Sequence, residues 1–382
     1  MFSLELDELQ QQIQDTAKSF AKDVIEPDAV ERDKNAIFPK EIIKQVGELG
    51  FLGMNVPEEW DGSGLDNISQ CSVIEEFAKA DASVSVIVSV QKLVNSVLVK
   101  SASDEIKEKY LKPMARGEML GAYCLSEPEV GSDARGIKTM AIENGDHYVI
   151  NGSKNWITTG SNAGMFLVFA QTNPELKHRG ITAFVMDADS EGVEIGLKED
   201  KMGLRGSDTV SLSFSNVKVP KENIVGKVGE GFYLAMQGLS GGRIGIAAQA
   251  LGIAKAAFDL SVKYSSERHS MGVPINNHQA IQIKLAQMSM KISAAELLVN
   301  KAAWMEDNGM DVNRVSSEAK LFASTIANDI AREAVQIHGG YGYVREYIVE
   351  RLMRDAKITE IYEGTSEIQH IVIARDVVKN AE

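Results

Sequence analysis

The chain has 382 residues, 44% hydrophobic and 25% charged, with a net charge of −14. This describes a globular protein of two or three domains, or one large helical domain, that can bury a core without metal or disulfide staples. The acidic balance, with no dense Lys/Arg block, disfavours nucleic-acid binding, and two distant cysteines, Cys71 and Cys124, argue against a zinc site and fit a reducing compartment.

The N-terminus, MFSLELDELQQQ, is acidic early and lacks a basic n-region, so neither a secretory signal nor a transit peptide is expected. Leu9, Ile13, Ala17, Phe20 and Val24 form one apolar helical stripe, which Pro27 ends. A second helix follows Pro39 through KEIIKQVGELG, with Gly50 as its stop. Pro57 to Asp66, PEEWDGSGLD, is a loop by its Pro, Gly and Asp content. Ser83 to Lys100 is strongly apolar, but Gln91, Lys92 and Asn95 interrupt it, so no membrane span is expected. Its first part, Ser83 to Val90, reads as strand by alternation and as helix by context.

The middle of the chain changes character. HYVING, GMFLVFAQT, GITAFVMD and TVSLSFSNVKVP are short β-type runs separated by Gly, Asn and Asp. In the last, Val210, Leu212 and Phe214 alternate with serines, as in a strand with one buried face. From Gly231 the pattern is helical again. Leu251, Ala254, Phe258 and Val262 define one face, and Ile253, Ala257, Leu260 and Tyr264 another, as in a helix buried among helices. Leu285, Met288, Ile292, Ala295 and Val299 add a further stripe. So much apolar helix surface predicts an oligomer.

No GxGxxG, P-loop or HExxH motif is present, which disfavours a standard dinucleotide fold and phosphoryl transfer. Four other stretches carry polar groups in turn-like settings. YCLSEPEVGSDA, Tyr123 to Ala134, offers Ser126 and Ser132, with Gly131 where backbone can approach a ligand; it is also readable as a decorated turn. NGSKNWITTGSNA, Asn151 to Ala163, places Trp156 near Thr158; the ring is either a platform for a flat ligand or a core residue of a hairpin. SERHSMGVPINNHQAIQ, Ser266 to Gln282, carries Arg268 and Gln279, donors suited to a pyrophosphate or simply to an interhelical loop. QIHGGYGYVREYIVERLMRDAKITEIYEGTSEIQ, Gln336 to Gln369, holds Glu363 before Gly364 on a turn, where a glutamate is ordinarily a solvated charge; Thr365 and Ser366 can cap the next helix.

Together, in this order and in a helix–β–helix layout, these stretches resemble the acyl-CoA dehydrogenase family over nearly the whole chain. GGRIGIAAQALGIA, Gly241 to Ala254, and ITEIYEGTSEIQ, Ile358 to Gln369, are most similar to its short-chain, butyryl-CoA branch. The fold this implies is mainly α with a central β domain. An N-terminal helical domain would span 1–120, a middle β-barrel or sandwich domain 121–230, and a C-terminal four-helix-bundle domain 231–382.

The resemblance implies FAD as cofactor and no metal. Tyr123, Leu125, Ser126, Trp156 and Thr158 match positions that hold the flavin ring. Arg268 and Gln279 match positions that reach the FAD of a neighbouring subunit. Gln336, Gly339 and Gly340 match the stretch near the adenine end, and Thr365 and Glu367 lie in a cofactor-contacting segment. Ser132 and Arg243 match contacts to the CoA ester, with Tyr362 and Gly364 beside the reacting carbon. Glu363 matches the catalytic base. Other branches place that base just before the helix arginine, where this chain has Gly242. Many relatives carry a substrate-contacting Asp where this chain has Ser240.

The implied reaction is dehydrogenation of a short-chain acyl-CoA, with electrons passing to electron-transferring flavoprotein from a homotetramer. The implied location is the bacterial cytoplasm, or the mitochondrial matrix if a transit peptide has been removed. A branched-chain dehydrogenase, an enoyl-CoA reductase or an oxidase of the same fold is the alternative, and a non-catalytic helical scaffold is a further one.

Overall fold

The structure, a computed structural model, describes residues 5–379. Positions 1–4 and 380–382, which open the expected 1–120 span and close the 231–382 span, lie outside the described residues.

Helix α1 (Glu8–Phe20) starts at a capping box in which Asp7 accepts from the Gln10 amide and Gln10 answers the Asp7 N–H. Such a cap is worth about 1 kcal/mol. Its stripe buries Ile13 and Ala17, but Leu9 is 63% exposed, because the first turn overhangs the core. The chain continues as a π-type turn to Ile25, just short of Pro27. Helices α2 (Ala29–Asn35) and α3 (Lys40–Glu48) follow, and Gly50 ends the latter segment with φ 78°.

The two central N-terminal helices are α4 (Asn67–Ala80) and α5 (Ala82–Ser101). The ambiguous Ser83–Val90 run is therefore helix. Asp81 caps it by accepting from the Ser83 amide at 2.8 Å, and its other oxygen pairs with buried Arg32 at 3.0 Å. The alternation misleads because α5 is buried on nearly every side. Ser85, the polar half of the pattern, is itself buried and donates to the Ile74 carbonyl of α4 at 2.9 Å. Short α6 (Asp104–Ile106) and α7 (Lys112–Ala115) lead to the sheet.

Eight strands form one mixed sheet: β1 (Gly121–Cys124), β2 (Met140–Asn144), β3 (His147–Thr158), β4 (Met165–Gln171), β5 (Ile181–Asp187), β6 (Val193–Ile195), β7 (Thr209–Pro220) and β8 (Ile224–Val225). Their order is β6-β7-β3-β2-β4-β5-β8, with β1 parallel to β4 on a branch. The sheet folds over its own core: Tyr148 of β3 and Phe184 of β5, with two strands between them in that order, have ring centroids 5.2 Å apart. Val210, Leu212 and Phe214 point into this core, as their alternation predicts. The outer face of β4 and β5, through Leu167, Phe169 and Val185, packs on residues of α5, α7 and the next helix.

That helix, α8 (Gly231–Glu267), runs through the molecule and is followed by a small hairpin of β9 (His269–Ser270) and β10 (Val273–Pro274). Helices α9 (Gln279–Asp307), α10 (Asn313–His338), α11 (Val349–Ile358) and α12 (Ser366–Lys379) complete the described residues. One core joins Phe77 and Ile87 of the N-terminal helices to Ile253, Ile292 and Ile330 of the C-terminal ones. Helices α5 and α8 are long and apolar enough to cross a membrane, yet both are mostly buried in protein.

Candidate active site

The turn joining α11 to α12 carries Glu363 in the left-handed region, with φ 53°, and Gly364 at φ 92°. A non-glycine residue there is strained by about 1–3 kcal/mol and persists only when its surroundings hold it. They do. Gln369 donates through Nε2 to the carbonyls of Glu363 (3.1 Å) and Gly364 (2.9 Å). Lys320 of α10 donates to the same Gly364 carbonyl at 2.8 Å, and Ser366 N–H closes onto Glu360 O at 2.9 Å. A Cβ on Gly364 would lie 2.7 Å from Gln369 Nε2, so glycine supplies both the φ and the room. Tyr362 is anchored in turn by its hydroxyl, which donates to Gln249 of α8.

The clamped turn aims the Glu363 side chain at α8. Its Oε2 is shut off from solvent and has no hydrogen-bond partner. A Cβ on Gly242 would lie 2.8 Å from that oxygen, so the helix leaves a notch where the carboxylate rests. Burial pushes the Glu363 carboxyl up to about 7, and the positive charges of Arg243 and Lys320 act against that rise. Among the described residues no backbone acceptor takes the Glu363 N–H, which leaves a donor beside the carboxylate. A half-buried carboxylate with one oxygen shut off from solvent and unpartnered, titrating near neutrality, is equipped to accept or return a proton.

Arg243 is itself buried. Its Nη1 donates to Asn313 Oδ1 and Ser317 Oγ of α10, both at 3.2 Å, and its Nε is unpartnered. The structure thus sets it against α10 and the Glu363 charge rather than at an open surface. Ser240 sits three residues earlier, with its hydroxyl bonded to the Met236 carbonyl of its own helix at 3.0 Å. Ser132 is exposed on the loop after β1.

Tyr123 brings the sheet to this site. Its hydroxyl donates to Ala235 O of α8 at 3.1 Å, and burial, with the Glu363 charge adding to it, raises the phenol well above its ordinary range. Leu125 and Ser126 follow it. A fully buried ion pair fixes this segment: Lys154 Nζ reaches Glu127 at 2.8 Å and the Leu125 carbonyl at 3.1 Å. Ser126 O accepts from Asn155 N–H at 2.9 Å, which places it next to Trp156.

Trp156 occupies a bulge where β3 slips register against β7, with φ 62° and 61% of its surface exposed. The reading of this ring as a hairpin core residue is therefore wrong: the bulge turns it outward. Thr158 is half-buried two residues on, and Asn155, the residue before Trp156, has its Oδ1 buried without a partner. An open aromatic face, neighbouring hydroxyls and an unfilled acceptor fit a flat heteroaromatic ring such as an isoalloxazine.

A second set lies at the far end of α8 and α10. Arg268 is exposed and lies over the Tyr341 ring at 5.4 Å. Gln279 opens α9, and Gln336, Gly339 (φ 59°) and Gly340 are exposed where α10 ends. Among the described residues, no hydrogen bond, ion pair or ring contact joins this set to the Trp156 set. Thr365 and Glu367 flank the start of α12, with Glu367 exposed.

Sequence reasoning missed Gln249, Lys320, Gln369 and Asn155. For the three on helices, a lysine or glutamine at a buried helical position was the available signal, since such groups stay buried only with partners.

The geometry can be set beside known proteins. Family profiles for the acyl-CoA dehydrogenase N-terminal, middle and C-terminal domains match residues 7–118, 122–217 and 229–378. The 3-(aryl)acrylate reductase of Clostridium sporogenes is 46% identical over 99% of this chain and 100% of its own. The mitochondrial short-chain specific acyl-CoA dehydrogenase of Rattus norvegicus is 45% identical over 99% of this chain and 92% of its own. Butyryl-CoA dehydrogenase from Megasphaera elsdenii superposes with a TM-score of 0.97 at 43% identity, covering 98% of this chain and 100% of that one. A chain in a structure described as the electron transferring flavoprotein of Acidaminococcus fermentans gives a TM-score of 0.97 at 44% identity, covering 98% and 99%.

Proposed function

The chain belongs to the acyl-CoA dehydrogenase family of flavin-dependent oxidoreductases, and from that premise we propose that it oxidises a short-chain saturated acyl-CoA to the trans-2-enoyl-CoA with Glu363 as the base. The observation that carries this reading is the Glu363 carboxylate: its Oε2 shut off from solvent and unpartnered, held on a clamped turn and pushed up to about 7. Glu363 removes the α-proton of the thioester. Its own N–H, free of an internal acceptor, bonds the thioester oxygen as enolate charge develops there, a contribution of about 3–4 kcal/mol for one well-placed donor. FAD, when bound, supplies the acceptor for the β-hydrogen. Tyr123, Leu125, Ser126, Trp156 and Thr158 would hold its ring, and Arg268, Gln279, Gln336, Gly339 and Gly340 would hold the remainder across a subunit boundary.

Two outcomes test these assignments. Turnover with butyryl-CoA should rise with pH through about 7, because only the ionised carboxylate accepts a proton and burial has raised its titration to that value. A rate independent of pH between 5.5 and 8.5 would contradict it, as measured by steady-state kcat with an artificial electron acceptor. Trp156→Ala should lower the FAD retained through purification, read from the absorbance ratio of flavin to protein. Full retention would remove the indole from the ring site.

The 46% identity to an arylacrylate reductase favours a second reading, the same chemistry run toward the saturated product. A carboxyl titrating near 7 is protonated often enough to serve as acid to an enolate, so one site serves both directions. Comparing butyryl-CoA oxidation with crotonyl-CoA reduction under matched potentials separates the two.

For partners we propose electron-transferring flavoprotein, supported by the Acidaminococcus structure, and a homotetramer. Ile283, Met290 and Leu297, seven residues apart on α9, leave an exposed apolar stripe suited to a second helix layer.

A further inference from the structure

Helix α10 carries a polar seam inside an apolar bundle. Ser317, Lys320 and Ser324 are fully buried, and with Asn313 they recur at helical spacing on one face. A lysine in such a place is costly, because the ammonium loses its hydration. Its bond goes to a carbonyl, Gly364 O at 2.8 Å, rather than to a carboxylate. A methionine would fill the same volume without that cost, so the charge needs a reason.

The reason faces it. Asn313 and Ser317 of the seam hold Arg243, and Lys320, one turn further, holds the catalytic turn. Both cations act on one half-buried carboxylate, Glu363. Around Lys320, burial drives its amine down to about 8; Glu363 supports its charge, Arg243 of α8 opposes it, and Glu360 and Glu367 add weaker support. Around Glu363, the phenols of Tyr123 and Tyr362 complete the titratable surroundings.

We propose that Lys320 is a positioning residue for the proton-transferring carboxylate: its ammonium pins the Gly364 carbonyl and sets a positive charge against the carboxylate form of Glu363. The proposal rests on the reading of Glu363 as the base. It separates two jobs that one side chain performs. A neutral donor retains the pin and loses the charge, while arginine retains the charge.

The test is the pH profile of kcat for the FAD-loaded enzyme with butyryl-CoA in Lys320→Met, Lys320→Gln and Lys320→Arg. Met and Gln should move the acid limb upward by about one pH unit, with Gln recovering part of the plateau rate that Met loses. Arg should leave the limb where it is in the wild type. A limb that stays fixed in Met and Gln while only rate and melting temperature fall would overturn the proposal and leave Lys320 a structural residue.

A second arm needs no change at position 320. By reciprocity, removing the Glu363 charge must make the Lys320 cation harder to hold. In Glu363→Gln holoenzyme labelled with 13Cε-lysine, the titration of one buried lysine should move to lower pH, and an unmoved titration would overturn the coupling. The same variant reports on the base itself. If it turns over normally, the base assignment fails, while the lysine titration still decides whether the two groups are coupled.

Discussion

Glu363→Gln is expected to keep its flavin and its fold while turnover with a short acyl-CoA falls by about 10³-fold, within the range a positioned general base contributes. The amide occupies the same space beside Gly242, and the contacts that clamp the turn, from Gln369 to the Glu363 and Gly364 carbonyls and from Lys320 to Gly364, involve backbone oxygens. Each reaches a backbone oxygen, so none is made to the side chain of residue 363. What is lost is the ability to take a proton. Stability should move the other way. The folded-state carboxyl titrates at about 7, above its ordinary 4.5, so the unfolded chain releases this proton first. The wild-type carboxyl therefore costs stability progressively as pH rises from about 4.5 through 7. The variant lacks that cost, so its melting temperature at pH 8 should equal or exceed the wild type's. A large drop in melting temperature, or a rate near wild type, would contradict this account.

Gly242→Ala should give the second largest effect, about 10²-fold in kcat, by displacement of the base alone. The added methyl would lie 2.8 Å from Glu363 Oε2 and 3.6 Å from Leu93. The first contact is too close, and the group that must yield is the end of a flexible side chain, so the fold tolerates the change. A shift of about 1 Å in a reacting group is enough for a loss of this size. Alanine also favours the interior of α8 over glycine by about 1 kcal/mol. The signature is thus a stable, yellow, slow enzyme. Unchanged kcat would mean that the carboxylate does not need this notch.

The comparison of sequence with structure is uneven for physical reasons. Alternation located the inner face of β7 because one side of that strand is solvated, so buried and exposed positions separate cleanly: Leu212 and Phe214 inside, Ser213 and Ser215 outside. The same cue failed at Ser83–Val90, where serines and valines are buried alike and no solvent face exists to set a period. Leu9 completed a stripe on paper but lies beyond the edge of the core.

At the site, the YEGT turn was legible only through resemblance to a family. A glutamate before a glycine is usually solvated, and what makes Glu363 otherwise comes from distant residues. Lys320 is 44 positions from the carbonyl it holds, and Gln249 is 113 positions from Tyr362. Local patterns do not carry contacts of that range. Trp156 shows the same limit, since its outward direction is set by a bulge against β7 some 50 residues later.

The most direct test of the central claim is an anaerobic titration of the FAD-replete protein with butyryl-CoA, following the flavin absorbance band. The account predicts bleaching that is complete near one equivalent per flavin in the wild type and absent from Glu363→Gln on the same timescale. A yellow wild-type protein whose band is unmoved by butyryl-CoA, or a Glu363→Gln protein that bleaches as fast as wild type, would contradict it.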